Sequence, residues 1–332
     1  GSPSLIFNTN KGKVRYDNGS VRGCQELANG TVVHIWAEFS GKVEADRSFA
    51  TNEGNFVVVT FGKNVKEVSV RYGISFIDEN QAESNLRSEI PDFDLSKVAA
   101  KGRRAWNDKL GKIRIGDGSE DDKTVFYTSL YRTYERMICL SEGNRYFSAF
   151  DGKVHEDNTP FYTDDWVWDT YRAAHPLRVL MEPEMEVDMI NSYARMSEQM
   201  TNHWMPTFPE VTGDSRRMNS NHAVAFVADA IEKGLTGFDV KSLYEYCRDG
   251  LTEKTLAPWS DVKAGPLSEF YWKHGYIPAL PDGAEETYPE VHPFEKRQPV
   301  AVTLGTAYDQ WCLSILADHA GEPEMAERFR KG

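Results

Sequence analysis

The stretch FYTDDWVWDTYRAAHPL, Phe161–Leu177, combines in seventeen residues five aromatic side chains, three aspartates, an arginine and a histidine. A helix that only packs into a core would instead show a stripe of Leu, Ile, Val and Met side chains. Sugar rings stack on aromatic side chains, and their hydroxyl groups need polar partners held in a fixed geometry. The stretch therefore predicts a carbohydrate-binding element. The alternative is a helix start whose aromatic residues are core and whose charges are solvated.

The composition of the whole chain limits the classes of protein that fit. The 332 residues are 40% hydrophobic and 27% charged, as in a soluble globular protein, and their number suggests two domains. The formal net charge is −13 without a basic cluster, so we expect neither nucleic acid nor anionic membrane as a partner. No apolar run approaches a membrane span, and no signal peptide is recognisable. Four widely separated cysteines favour buried thiols over disulfides or zinc: Cys24, Cys139, Cys247 and Cys312.

Up to about residue 90 the hydrophobic pattern has a period of two, which predicts antiparallel strands. Lys66–Phe76 alternates strictly and predicts a half-buried strand. Thr31–Phe39 and Phe56–Phe61 predict two more strands, and Gly and Asn residues mark the turns. This region is typical of a β-sandwich. The apolar face predicted for the first of these strands consists of Val68, Val70, Tyr72, Ile74 and Phe76.

From about residue 94 the hydrophobic period changes to 3.6, which is typical of amphipathic helices. Helix starts are predicted at Asp94 or Ser96 and at Asp239, and helix ends at Gly234 and Gly321. Strands first and paired helices afterwards predict a β domain followed by an α/α toroid. The helices lie at about 122–137, from the aromatic stretch to about Met181, and at Glu184–Met200, Asn219–Lys233 and Thr303–Ala320; His203–Arg217 and Leu256–Pro299 are predicted loops.

Five motifs follow one another along the chain. They are YGISFIDENQAESNLRSEIPDFD (72–94), AWNDKLGKI (105–113), VFYTSLYR (125–132), WDTYRAAHPL (168–177) and MNSNHAVAFVADAIEKGLTGFD (218–239). The fourth closely resembles the WDTYR-x-x-HPL signature of the glycoside hydrolase family 92 α-mannosidases. The others are similar to segments of that family in the same order, over about residues 70–322. Several ordered motifs are more specific than one short pattern.

The resemblance implies an α+β multidomain protein. A partial N-terminal β-sandwich is expected over residues 1–92 and a partial (α/α)6 toroid over residues 93–332. The implied activity is the exo-acting, inverting removal of terminal α-linked mannose from mannosides or N-glycans, assisted by Ca2+ that binds sugar hydroxyls. The expected partners are a mannose-containing oligosaccharide and the remainder of the protein's own polypeptide. The expected location is secreted, periplasmic or at the cell surface.

Substrate-binding residues are implied at the positions that match the family motifs. Asp169 is expected to contact terminal mannose hydroxyls, next to Trp168 and Arg172 of the same signature. At i and i+3, Asp169 and Arg172 could instead pair with each other and brace the toroid. His222 and Asp229 match the HA…DA pattern and are expected at a subsite, with bracing of a helix end as the alternative. Weaker expectations fall on Asp165, Trp166 and Trp204.

Two departures from the family pattern bear on function. In AVTLGTAYDQW, Ala301–Trp311, Gly305 stands where the family carries a glutamate. Segments that resemble the family's general acid and base do not occur, so both are expected beyond Gly332 and the catalytic and metal-binding residues stay unassigned. The chain alone is then expected to be incomplete for catalysis. The alternatives are a non-catalytic carbohydrate-binding or scaffold protein of the same fold and another toroid hydrolase, which would lack the WDTYR-x-x-HPL signature.

Overall fold

The computed structural model describes residues 2–218 and 221–331 and divides the chain into two compact units. The first unit contains residues up to 132 together with 141–158, and the second contains 133–140 together with the residues from 159 onward. Strands dominate the first unit and helices the second, which confirms the predicted order of a β-rich region and a helical region. The domain bounds 1–92 and 93–332 and the partial (α/α)6 toroid stay predictions.

The strands of the first unit form two antiparallel sheets. These strands are β1 (Ser4–Asn8), β2 (Gly12–Asp17), β3 (Ser20–Glu26), β4 (Val32–Phe39), β5 (Val43–Ala50), β6 (Asn55–Phe61) and β7 (Val70–Ser75). One sheet has the order β2-β3-β4-β7 and the other the order β1-β6-β5. Because side chains alternate along a strand, each sheet turns every second residue inward. The two sheets share one apolar core, as in the predicted sandwich, formed by Val14, Val21, Ala37, Val57, Val59 and Phe61.

Strand β7 departs from the prediction made for Lys66–Phe76. Tyr72 and Ile74, on the apolar face of the pattern, are 59% and 49% exposed. Gly73 and Ser75, on the opposite face, are buried. The expected burial of the apolar face is therefore wrong, because a helix covers the small-residue face of the strand instead.

That helix is α1, Glu79–Glu89, which the hydrophobic pattern did not predict. It begins after Asp78, whose side chain accepts a hydrogen bond from the Gln81 N–H. Its backbone lies so close to β7 that a Cβ atom on Gly73 would lie 2.3 Å from the Ala82 carbonyl oxygen. Only glycine permits this approach, so Gly73 fixes how α1 packs on the sheet.

Two longer helices, α2 (Leu95–Leu110) and α3 (Glu120–Arg132), also belong to the first unit. As predicted, α2 begins after Asp94, whose carboxylate accepts hydrogen bonds from two N–H groups of the first turn. The two helices are joined by the rings of Trp106 and Tyr131, whose centroids lie 4.5 Å apart. A short hairpin completes the described elements of this unit: β9 (Arg145–Ser148) and β10 (Lys153–Glu156).

The second unit is mainly helical. Its helices are α4 (Val167–Thr170), α5 (Ala174–Met181), α6 (Pro183–Gln199), α7 (Ala223–Glu232), α8 (Val240–Thr252), α9 (Pro266–His274), α10 (Pro299–His319) and α11 (Pro323–Arg330). Helix α10 packs against α7, α8 and α11, and α6 packs against α5 and α8. Two short strand pairs border these helices: β8 (Ile138–Cys139) with β11 (Tyr162–Thr163), and β12 (Pro209–Glu210) with β13 (Gly213–Asp214).

The predicted helices are largely confirmed, with four differences. The helix predicted at about 122–137 ends at Arg132. The helix predicted through the aromatic stretch is broken into α4 and α5. Helix α9 lies inside Leu256–Pro299, which had been predicted as a loop. The predicted start of α7 at Asn219 lies outside the described residues, which resume at Asn221.

The cysteines and the hydrophobicity of the helices add two observations. Cys247 and Cys312 are buried as predicted, whereas Cys139 is exposed and does not fit the predicted buried thiol. Over residues 2–218 and 221–331, no helix combines the length and the apolar character that crossing a membrane requires.

Candidate functional site

A buried aspartate fixes the backbone of the aromatic stretch. The carboxylate of Asp165 is fully buried and accepts hydrogen bonds from the Thr170 hydroxyl at 2.7 Å and the Tyr193 hydroxyl at 2.8 Å. Its second oxygen also lies 2.9 Å from His175 Nε2. Thr170 ends α4 and His175 lies in the first turn of α5, so one carboxylate holds the two helices around the break between them. The weaker expectation that Asp165 contacts substrate is not met, because its oxygens face these partners.

His175 lies between two carboxylates in this core. Its Nδ1 is 2.8 Å from Glu186 Oε1, and its ring stacks on Phe226 at 4.2 Å. Burial opposes the imidazolium, but the charges of Glu186 and Asp165 outweigh it and raise the pKa of His175 to about 9. In turn, His175 and the two hydroxyl donors outweigh burial and hold the pKa of Asp165 below its usual value. The cluster is a buried, charged brace.

Trp166 presents an exposed ring beside this brace. It is 41% exposed and stacks on Phe208 at 6.0 Å with an angle of 30° between the rings. The Arg136 guanidinium lies 4.1 Å from the ring centroid and pairs with Asp164. Burial raises the pKa of Asp164 although Arg136 opposes that shift. Neighbours thus hold the Trp166 ring while much of its surface stays open for stacking.

The three signature residues lie together at the surface of the second unit. Asp169 and Arg172 are exposed, and Trp168 is half-buried. The Arg172 guanidinium lies 5.0 Å from the Trp168 ring centroid and 5.5 Å from that of Tyr171. Within the described part of the chain no ion pair joins Asp169 to Arg172, so the alternative of a bracing pair is not realised. An exposed carboxylate beside aromatic rings and a cation is a suitable partner for hydroxyl groups.

His222 is held in place by Asp309, a residue that the sequence analysis did not select. His222 Nδ1 lies 2.7 Å from Asp309 Oδ1, and the backbone N–H of Asn221 donates to Asp309 Oδ2 at 2.6 Å. Asp309 is fully buried in α10, so it orients the start of α7. The available signal was the acidic position in AYDQW, Ala307–Trp311, next to the Gly305 departure.

An aromatic cluster connects His222 to the signature. Its ring lies 4.1 Å from the ring centroid of Tyr171 and 6.0 Å from that of Tyr308. Tyr171 belongs to the WDTYR segment, and Tyr308 lies in α10 next to Asp309. The structure therefore brings His222 next to the signature segment, and its role at a subsite stays a prediction. With Nδ1 facing a carboxylate, a neutral His222 carries its proton on Nδ1 and keeps Nε2 as an acceptor.

The remaining expected residues lie apart from this cluster. Asp229 is seven residues beyond His222, near the other end of α7, and pairs with Lys233 at 2.7 Å, which matches the alternative of helix-end bracing. Trp204 is 5% exposed, so its ring is core rather than a binding surface. Gly305 lies within α10, one turn before Asp309.

The described residues do not by themselves form a metal centre. Among residues 2–218 and 221–331, no three His, Cys, Asp or Glu side chains are grouped in a way that could hold a metal ion. The Ca2+ implied by the resemblance therefore does not fit a ligand set in this part of the chain.

A family model and solved structures show what the chain is similar to. A family model described as the glycosyl hydrolase family 92 catalytic domain matches residues 81–332. The inverting family 92 mannosidase of Bacteroides thetaiotaomicron VPI-5482 superposes with a TM-score of 0.83 at 26% identity, covering 99% of this chain and 46% of that one. A family 92 α-mannosidase of Bacteroides thetaiotaomicron in complex with mannoimidazole superposes with a TM-score of 0.78 at 22% identity, covering 96% and 42%.

A curated relative is described as a glycosidase. An uncharacterized secreted glycosidase of Arthroderma benhamiae is 25% identical over 272 residues, which cover 80% of this chain and 30% of the relative. The chain therefore spans about a third of that curated relative and less than half of each of the two solved mannosidases.

Proposed function

The chain belongs to glycosyl hydrolase family 92, and on that premise we propose that it is the sugar-recognition part of a glycoside hydrolase that removes terminal α-linked mannose with inversion. The substrate is a mannoside or a mannose-containing glycan. The observation that carries this proposal is one short segment in which the Asp169 side chain and the Trp166 ring are exposed and the Arg172 guanidinium lies 5.0 Å from the Trp168 ring centroid. This surface combines an aromatic ring open for stacking, a cation, and a carboxylate that forms no ion pair within residues 2–218 and 221–331.

The described residues bind and orient rather than cleave. Asp169 accepts hydrogen bonds from sugar hydroxyls, and Trp166 stacks on the apolar face of a sugar ring. His222, oriented by Asp309, offers Nε2 as a further acceptor at the edge of the same cluster. Inverting hydrolysis also needs a carboxylic acid and a carboxylate about 6.5–9.5 Å apart, and we assign neither to this chain.

Calcium dependence and an extracytoplasmic location are part of the same proposal. Ca2+ takes oxygen ligands, including sugar hydroxyls, and it would supply charge at the sugar. The family resemblance supports calcium, and the secreted relative supports a secreted, periplasmic or cell-surface location.

Hydrolysis of an aryl α-mannoside by the full product of the gene tests the activity. We expect release of the aryl group, loss of activity after complete removal of Ca2+ with a chelator, and recovery when Ca2+ is returned. Proton NMR of the first-formed sugar anomer tests inversion. Activity that survives complete removal of Ca2+ contradicts the metal part alone.

Mannose binding tests the recognition surface independently of turnover. Asp169→Asn should weaken binding of D-mannose by about 10- to 100-fold, because a hydrogen bond to a charged acceptor is lost. Lys241→Met, on the exposed side of α8, is the matched control and should bind as the wild type does. Binding without hydrolysis by the full gene product favours the alternative, a non-catalytic carbohydrate-binding protein. Equal binding by Asp169→Asn and wild type contradicts the proposed surface.

A further inference from the structure

Lys254 is a buried cation without a hydrogen-bond partner. It follows α8 and is 4% exposed, and its Nζ makes no hydrogen bond to any residue in 2–218 or 221–331. Burial lowers its pKa to about 8, although the charge of Asp214 opposes that shift. An ammonium group carries three donors, and leaving them unmet in a protein interior is unfavourable. A buried cation of this kind is retained where something else accepts its hydrogens.

The side chain lines a small cavity that contains other polar atoms without partners. The cavity is also lined by Asn221 and Arg216, and its volume is about 10 Å³, enough for one group the size of a water molecule. Within the described ranges, Asn221 Oδ1 and Arg216 Nε are buried without a hydrogen bond. Arg216 Nε lies 3.5 Å from Asp214, which balances its charge. Two residues that line the cavity therefore carry unmet hydrogen-bonding groups, a donor on Lys254 and an acceptor on Asn221.

The backbone around the cavity is unusual. Arg216 and Trp259 both have positive φ angles, 50° and 66°. The Trp259 N–H donates to the Arg216 carbonyl oxygen at 2.8 Å and so joins the two residues. Bulky side chains rarely adopt this conformation, and such residues are enriched at ligand-binding positions.

The polar atoms of the cavity select for a hydroxyl group. A hydroxyl oxygen accepts from the Lys254 ammonium while its hydrogen is donated to Asn221 Oδ1. An anion would satisfy Lys254 but would carry no hydrogen for Asn221. The charges that act on Lys254 are those of three carboxylates and one guanidinium, so negative charge already outweighs the positive charge of Arg216 around the ammonium.

The cavity is linked to the candidate site through Asp309. Asn221 donates its N–H to Asp309, and the same carboxylate holds His222. We propose that Lys254 and Asn221 bind one hydroxyl group of the sugar in this cavity and thereby select for its position on the ring. This inference rests on the proposed function and deepens it, because it adds a specificity determinant outside the WDTYR segment.

The inference is tested by measuring whether the loss of the Lys254 side chain and the loss of one sugar hydroxyl group have non-additive effects on binding. Dissociation constants for D-mannose and a series of monodeoxy derivatives, each lacking one hydroxyl, are measured by calorimetry on the full gene product and on its Lys254→Met variant. These sugars contain no glycosidic bond to be hydrolysed. We expect Lys254→Met to weaken mannose binding by about 10- to 100-fold, while the derivative lacking the bound hydroxyl is equally weak with wild type and variant. Asn221→Ala should show the same pattern with the same derivative.

The outcomes separate the inference from the function on which it rests. Equal weakening of all derivatives, or of none, means that the cavity holds only a buried water and overturns the inference while mannose binding stands. If the wild type binds no mannose, the proposed function fails and the inference fails with it. Thermal unfolding guards against misfolding: Lys254→Met should be at least as stable as wild type, because it removes a buried ammonium without a partner. A lower midpoint for this variant indicates a structural lysine and contradicts the inference.

Discussion

His175 and Lys254, two buried cations in the second unit, differ in whether their donor groups have hydrogen-bond acceptors. His175 lies between Asp165 and Glu186, with both ring nitrogens within 2.9 Å of a carboxylate oxygen. Lys254 lies near carboxylates but, within the described residues, donates a hydrogen bond to none of them. Burial acts against both charges. The pKa is raised to about 9 for His175 and lowered to about 8 for Lys254.

The difference separates a stabilising residue from a binding residue. A cation whose donors are met inside the protein has nothing left to offer a ligand, and it holds the elements around it in place. A cation whose donors are unmet weakens the folded state and offers those donors to a ligand. His175 therefore stabilises the packing around the aromatic stretch, and Lys254 belongs to the buried cavity for which we propose a sugar hydroxyl as the ligand.

Removing one partner of His175 should have the largest effect. Asp165→Asn leaves a buried imidazolium with one carboxylate, so the free energy of unfolding should fall by about 3–5 kcal/mol. Asp169→Asn is the matched control: the same change four residues later, on an exposed side chain, should alter that free energy by less than about 0.5 kcal/mol. Urea denaturation at pH 7 measures both. Similar losses for the two variants would contradict the distinction between brace and surface.

The pH dependence of stability should identify the charge on His175. Its pKa rises from 6.5 in the unfolded chain to about 9 in the folded one, so the folded state binds the extra proton between these values. The stabilisation is present below about pH 6.5 and is lost as the pH rises through 9, on the order of 3 kcal/mol. Denaturation of wild type and His175→Gln across this range measures the difference. A difference that is constant with pH would mean that His175 is neutral in the folded protein.

The contribution of Lys254 to the free energy of unfolding should change with pH in the opposite direction. Its pKa falls from 10.5 in the unfolded chain to about 8 in the folded one, so between these values the unfolded state binds the extra proton. Wild type should therefore gain stability relative to Lys254→Met as the pH rises from about 8 to 10.5, on the order of 3 kcal/mol. The neighbouring charges of Asp214, Arg216, Asp261 and Asp309 act on this value. If the contribution of Lys254 to stability instead falls as the pH rises, as expected for His175, Lys254 is paired with a carboxylate in solution.

Removal of the exposed Trp166 ring should have the smallest effect of these changes. It should weaken mannose binding and leave stability nearly unchanged. Trp166→Ala should weaken mannose binding by about tenfold, because a stacking contact is worth about 0.5–1.5 kcal/mol. Its unfolding midpoint should change little, since the ring is 41% exposed. Trp204→Phe, at a core position, is the contrasting control and should leave mannose binding unchanged. Unchanged binding in the Trp166 variant would remove the ring from the recognition surface.

Local signals predicted much of the fold. Asp94 and Asp239 were identified as helix caps because a cap depends only on the next three residues, and both side chains accept hydrogen bonds from the first turn. The buried face of β7 was predicted wrongly because α1 packs on Gly73, and no alternation within a strand reveals what covers it. The break between α4 and α5 depends on Asp165, whose partner Tyr193 is 28 residues away.

The candidate site was predictable where it is contiguous in sequence. Asp169 and Arg172 follow from one short motif. The pairing of His222 with Asp309 joins residues 87 positions apart, and no spacing within either helix indicates it. Lys254 gave no signal, because a lysine after a helix is usually solvated and only the packing shows that it is buried.

The carboxylate of Asp309 has a consequence for how the two parts of the site respond to ligand. One of its oxygens holds the His222 ring and the other holds the Asn221 backbone, so the ring and the amide move as one body. A sugar that binds at His222 also fixes the Asn221 backbone through Asp309. The conformational entropy of ordering the two residues is therefore lost only once. Sugar binding at His222 and at the cavity next to Asn221 should consequently be cooperative. A neutral residue at position 309 should remove this cooperativity before it abolishes binding at either place.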